Sequence, residues 1–60
     1  MKFNDYEYEI ILGNGTIIRR EYILPDWFTK EEVDMLVNGY ITEDSEVLKY
    51  GLVSYRRIMY

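Results

Sequence analysis

The groups in this 60-residue chain that could do chemistry are two serines, Ser45 and Ser54, eleven acids and seven lysines and arginines, with neither histidine nor cysteine. Nucleophilic catalysis needs an activated hydroxyl, thiol or amine beside a base, and the usual base is missing. Two carboxylates could act as acid and base, as in sugar hydrolysis, but such a pair needs a cleft that a chain this short has little mass to build. Gly13, Asn14 and Gly15 resemble a phosphate-binding loop only superficially, since a strand follows them and no Lys-Ser/Thr pair does. The chain reads as a non-enzyme. No cofactor is implied, and without cysteine or histidine a zinc site is not expected.

The charged residues offer two further readings. Arg19-Arg20 and Arg56-Arg57, with Tyr22 and Tyr55 nearby, have the makings of a single-strand nucleic-acid surface. Against it, the net charge is -4, and adjacent arginines on a strand point to opposite faces, where Glu7, Glu9 or Glu21 can partner them across a sheet. Direct nucleic-acid binding is therefore not expected. The acids are more suggestive. Asp5, Glu7 and Glu9 alternate along one strand, spacing their carboxylates by about 6.6 Å, in the manner of a DNA backbone. A solvated outer face has the same pattern, and the residues alone favour that plainer reading.

These groups have to be positioned by a very small fold. At this length, folding buries only about 60% of the surface that the unfolded chain exposes, and self-association is the common remedy where disulfides and metals are absent. Seven tyrosines exceed what so small a core can hide, which points to an interface or to tyrosines coating a sheet. No apolar run approaches the length of a membrane span, and Met1-Lys2 leads into acids rather than a signal peptide's apolar stretch. The expectation is a soluble, cytoplasmic protein with no membrane partner.

Alternation from Phe3 to Leu12 predicts a strand with Tyr6, Tyr8, Ile10 and Leu12 on its buried face. Gly13-Asn14-Gly15 predicts a hairpin to a second strand from Thr16 to about Leu24. A three-residue loop with Gly15 in the left-handed region sets Ile10 opposite Ile18 and Tyr6 opposite Tyr22. Pro25 ends that strand. Thr29 and Glu32 form a capping box, with Phe28 and Val33 as a hydrophobic staple. The helix is expected from Lys30 to Asn38 with Gly39 as its C-terminal glycine, presenting Val33, Leu36, Val37 and Tyr40 on one narrow face. After a polar stretch over Glu43 to Glu46, a third strand is expected from Val47 to Met59, bulged near Gly51. The fold class is thus α+β in the order ββαβ: one domain over residues 1–60, with a three-stranded antiparallel sheet, one helix packed on it, and two-fold pairing into a homodimer.

In this order, length and acidity the chain resembles the small dimeric phage-encoded inhibitors of uracil-DNA glycosylase. The resembling segments are Tyr6 to Leu12 with its glycine turn, Glu21-Tyr22 in the second strand, Val33-Asp34-Met35-Leu36-Val37 with Asn38-Gly39, and Ser45-Glu46-Val47-Leu48-Lys49. The resemblance implies a DNA mimic. Paired helices would form an apolar groove that closes on the side chain the glycosylase inserts into DNA, while acids occupy its DNA-binding cleft. It places Glu21, Tyr22, Val33, Asp34, Val37 and Tyr40 at the partner surface. Aromatic residues line the helix in that family where this chain has Val33 and Val37, so Tyr40 would stand in for a lost ring. If the chain is phage-encoded, it would act in a bacterial host cell. Two other readings stay open: an acidic mimic or anti-defence protein against another basic DNA-binding protein, and a plain interaction module.

Overall fold

A computed structural model of the chain describes residues 2–59; Met1 and Tyr60, the two ends of the expected domain, lie outside the described residues. Strand β1 (Phe3–Leu12) turns tightly into β2 (Ile17–Pro25), helix α1 (Lys30–Thr42) and a short helix α2 (Ser45–Tyr50) follow, and β3 (Leu52–Met59) closes the sheet. The sheet is antiparallel in the order β2-β1-β3. The class is α+β as expected, but the element order is ββααβ rather than ββαβ.

The hairpin follows from its turn residues. The Gly15 amide donates to the Leu12 carbonyl at 3.0 Å and the Leu12 amide to the Thr16 carbonyl at 2.9 Å. The Thr16 amide also donates to Asn14 Oδ1 at 3.0 Å. Gly15 has φ 86°, a conformation that a side chain disfavours. The resulting register pairs Ile10 with Ile18 and Tyr6 with Tyr22, as the matching of apolar faces requires. Tyr6, Tyr8, Ile10 and Leu12 are buried. Asp5, Glu7 and Glu9 point to the opposite face, which neither helix covers.

Helix α1 starts where the capping box places it: the Glu32 amide donates to Thr29 Oγ1 at 3.2 Å, and the Thr29 amide to Glu32 Oε1 at 2.9 Å. It does not stop at Asn38. Val33, Val37 and Ile41 recur every four residues and are all buried. A mid-helix glycine such as Gly39 costs about 1 kcal/mol, whereas burying an isoleucine contributes about 1.5–3 kcal/mol, so the helix runs on to Thr42.

The expected third strand is the larger correction. Its first residues form α2, capped by Asp44, whose side chain accepts from the amides of Glu46 and Val47. Val47 is buried by this turn of helix. Gly51 ends α2 with φ 85°, so its role is a helix stop rather than a strand bulge. The bulges lie further on: β3 slips against β1 between Ile11 and Leu12 and again between Glu7 and Tyr8, leaving Val53 and Ile58 as the extra residues. The turn into β3 is pressed against the hairpin loop. The Gly13 amide donates to the Gly51 carbonyl at 3.0 Å, and a side chain at Gly13 would collide with the Tyr50 carbonyl.

The core is Tyr6, Tyr8, Ile10, Leu12, Leu24, Val33, Val37, Ile41 and Val47, lying between the sheet and the helices. Among the described residues no charged side chain is buried, the tyrosine hydroxyls being the polar groups of the core, and no helix is long and apolar enough to cross a membrane.

Candidate functional site

The six residues expected at a partner surface do not form one site. Val33 and Val37 are 1% and 0% exposed. They are packed into the core of this chain; Val33 reaches the floor of a hollow beside α1, but the two are too buried to present a shared open stripe. Asp34 lies on one flank of α1, where Arg57 donates to its Oδ1 at 2.8 Å. Tyr40 lies on the other flank, and its ring stacks on Tyr22 of β2 at 5.4 Å. The Tyr22 hydroxyl is pushed above its ordinary pKa mainly by burial, with the Asp44 charge adding to the effect. Glu21, next to Tyr22 in sequence, points to the uncovered face because neighbours on a strand alternate. Val33 and Val37 meet inside the core, and at the surface Tyr22 and Tyr40 come together.

The four arginines separate by face, as expected of adjacent strand residues. Arg20 and Arg57 turn towards the helices. Arg20 holds Asp44 at 2.7 Å with Glu46 at 4.0 Å. Arg57 donates to the Tyr8 hydroxyl at 3.1 Å as well as to Asp34, and lies over the Tyr6 and Tyr8 rings. These two brace the fold. Among the described residues, Glu9 is the one of the three acids expected as cross-sheet partners that pairs with an arginine, Arg56 at 3.3 Å.

With Glu9 answered by Arg56, the uncovered face keeps three acids close together. Glu7 stands directly opposite Glu21, and Asp5 is opposite Ile23, one step along. Like charges facing each other across a sheet are destabilising. The Glu21 carboxyl registers this: it is raised above its ordinary pKa first by hydrogen bonding with Asp5 and by that residue's charge, then by Glu7. The sequence showed the row Asp5-Glu7-Glu9, but the addition of Glu21 and the loss of Glu9 depend on the register and on β3. Among the described residues no cluster of acids has the arrangement of a metal site.

Two shallow hollows flank α1. One, of about 300 Å³, is lined by Tyr6, Lys30, Val33 and Arg57. The other, of about 310 Å³, is lined by Phe28, Glu32, Met35 and Leu36, beside a Trp27 that is 60% exposed. Met35 is 76% exposed. This is the exposed apolar part of the helix, one position round from the expected Val33/Val37 stripe. The signal was present in the spacing of Phe28, Glu32, Met35 and Leu36, but the sequence could not say which of two overlapping helical stripes the sheet would take. Against this geometry, the chain matches no family model, no curated protein and no solved structure.

Proposed function

We propose that this chain is a protein-binding inhibitor without catalysis of its own, which sets its uncovered acidic sheet face into the DNA-binding cleft of a basic protein. The observation that carries the proposal is the grouping of Asp5, Glu7 and Glu21 on a face that no helix covers. An isolated domain gains nothing from like charges at close quarters, whereas a basic cleft would answer them and draw the protein in by long-range attraction. The resemblance described above makes uracil-DNA glycosylase the first target to test. The protein then acts as a homodimer in the cytoplasm and binds no nucleic acid itself; the hollow at Phe28, Met35 and Leu36 lies on the helix side of the sheet, away from the acidic face, and takes no part in this contact.

The test is uracil release from DNA with the inhibitor in slight excess over the glycosylase. Excision should stop, and Asp5→Lys with Glu7→Lys should restore it. Undiminished excision by the enzyme in the presence of the wild-type chain refutes the glycosylase target. A second reading keeps the acidic face and changes the target: exposed Trp27 and Met35 suit many protein surfaces, and a nuclease or repressor with a basic cleft would be held in the same way.

A further inference from the structure

The sheet has two open edges, and they are not alike. β3 is broken by extra residues at Val53 and Ile58, while β2 pairs with β1 without interruption from Ile17 to Pro25. Bulges twist an edge away from would-be partners; a long regular edge invites one. The groups that β2 offers follow from the ladder. Backbone bonds join Leu12 to Thr16 at one end of the hairpin and Asp26 to Lys2 at the other. Antiparallel pairs alternate between bonded and non-bonded, so the even-numbered residues of β2 bond to β1. The N–H and C=O groups of Ile17, Arg19, Glu21 and Ile23 therefore face outwards. Pro25, which has no N–H, falls in this outward set and costs the β1 ladder nothing.

We propose that this edge of β2 pairs antiparallel with the same edge of a second copy, setting Arg19 opposite the partner's Glu21 and Ile17 opposite the partner's Ile23. The inference rests on the homodimer proposed above and names its seam. Read about Arg20, the outward set is self-complementary: isoleucine meets isoleucine, arginine meets glutamate, and on the helix side Ile18 meets Tyr22. Sliding the register by one step in either direction sets Arg19 against Arg19 or Glu21 against Glu21, which the sheet penalises. The two Arg20 side chains meet at the axis, each bonded to its own Asp44 at 2.7 Å and, through Nη1, to the outward carbonyl of Arg19 at 3.0 Å, which must share its second lone pair or exchange this bond for the partner's backbone N–H.

What each residue lacks in one copy, the other supplies. Among the described residues no ion pair engages Arg19. Glu21 sits directly opposite Glu7, and among the described residues no ion pair engages it. Ile17 and Ile23 are 57% and 59% exposed. The pairing makes a sheet in the order β3-β1-β2-β2-β1-β3 with its two β1 strands about 14 Å apart, three strand spacings. Both α1 helices then lie on the same face, with the Tyr22–Tyr40 stacks flanking the seam. Glu21 is drawn into the seam, and Asp5 and Glu7 of both copies remain to meet a ligand.

Charge reversal tests it. Arg19→Glu and Glu21→Arg, measured singly by sedimentation, should each weaken the dimer about 30-fold, since two symmetry-related pairs turn from attraction to repulsion. The double swap should recover dimerisation to within about threefold of the starting chain. In the wild-type protein at high concentration, the amides of Arg19, Glu21 and Ile23 should be protected from hydrogen exchange, and this readout needs no variant to fold. A monomeric wild-type chain, fast exchange at those amides in a dimer, or a double swap that fails to rescue well-folded single variants would each overturn the seam. A dimer that pairs in this way but leaves uracil excision untouched would refute only the inhibitory function.

Discussion

Asp44 carries two jobs that substitution can separate. Its Oδ1 caps α2 by accepting from the amides of Glu46 and Val47 at 2.9 and 3.4 Å, while Oδ2 receives Arg20 Nε at 2.7 Å. Asparagine can keep the cap and lose the charge; alanine loses both. The side chains of Asp44 and Arg20 are 13% and 33% exposed. A charge-assisted bond is worth about 1.5–3 kcal/mol when well shielded, and with Arg20 a third exposed about 1–2 kcal/mol is the fitting figure. The cap adds about 1 kcal/mol. Asp44→Asn should therefore cost about 1–2 kcal/mol and Asp44→Ala about 2–3 kcal/mol, measured by urea denaturation. The Asp44 carboxyl is held below its ordinary pKa, first by the Arg20 hydrogen bond and further by the Glu46 and Val47 amides, with burial opposing. A depressed carboxylate contributes stability above its unfolded pKa of about 3.9 and loses it as the pH falls through the folded value. The gap between wild type and Asp44→Asn should thus be full at neutral pH and close in strong acid. Equal losses for the two variants, or a gap that persists below the folded pKa, would refute this division of labour.

Gly13→Ala should cost about 1–3 kcal/mol, because the new methyl meets the Tyr50 carbonyl, a backbone atom that cannot swing aside; Gly15→Ala, with open space but φ +86°, should cost about 1 kcal/mol through strain alone. Both are read from thermal or urea unfolding. Val33→Asp should unfold the chain outright, since the site is 1% exposed and a charge there has no partner; a folded, dimeric Val33→Asp protein would contradict the placement of α1 on the sheet. Thr29→Ala should cost about 1 kcal/mol and leave partner binding intact, measured by denaturation and by uracil release side by side.

The parts of the fold written in local signals were legible beforehand. Strand β1, the glycine turn, the Ile10–Ile18 register and the capping box at Thr29 are each specified by residues within a few positions of one another. What was not legible depends on distant partners. Asp44 is one acid in the run Glu43 to Glu46, and only Arg20, 24 residues away, marks it out as the cap of a second helix. Val47 to Tyr50 alternates well enough for a strand, but the turn is wound into a helix that buries Val47, and the hairpin loop at Gly13 packs against its end. The same limit applied to the site. Val33 and Val37 share a stripe with Ile41, and the sheet takes that stripe, leaving Phe28 and Leu36 half-buried at its margin and Met35 exposed. Glu21 joined Asp5 and Glu7 only through the register that sets it opposite Glu7.

The central claim is that the acidic sheet face meets a basic DNA-binding cleft. Its most direct test is the association rate between this protein and uracil-DNA glycosylase, measured at low and at high salt for the wild-type chain and for a variant with Asp5→Asn and Glu7→Gln. Electrostatic steering predicts a fast association that salt slows, with a dissociation rate that salt changes far less. The neutralised variant should associate slowly at low salt and show little salt dependence. No complex at all, or a variant that associates as fast as the wild type at low salt, would contradict the account.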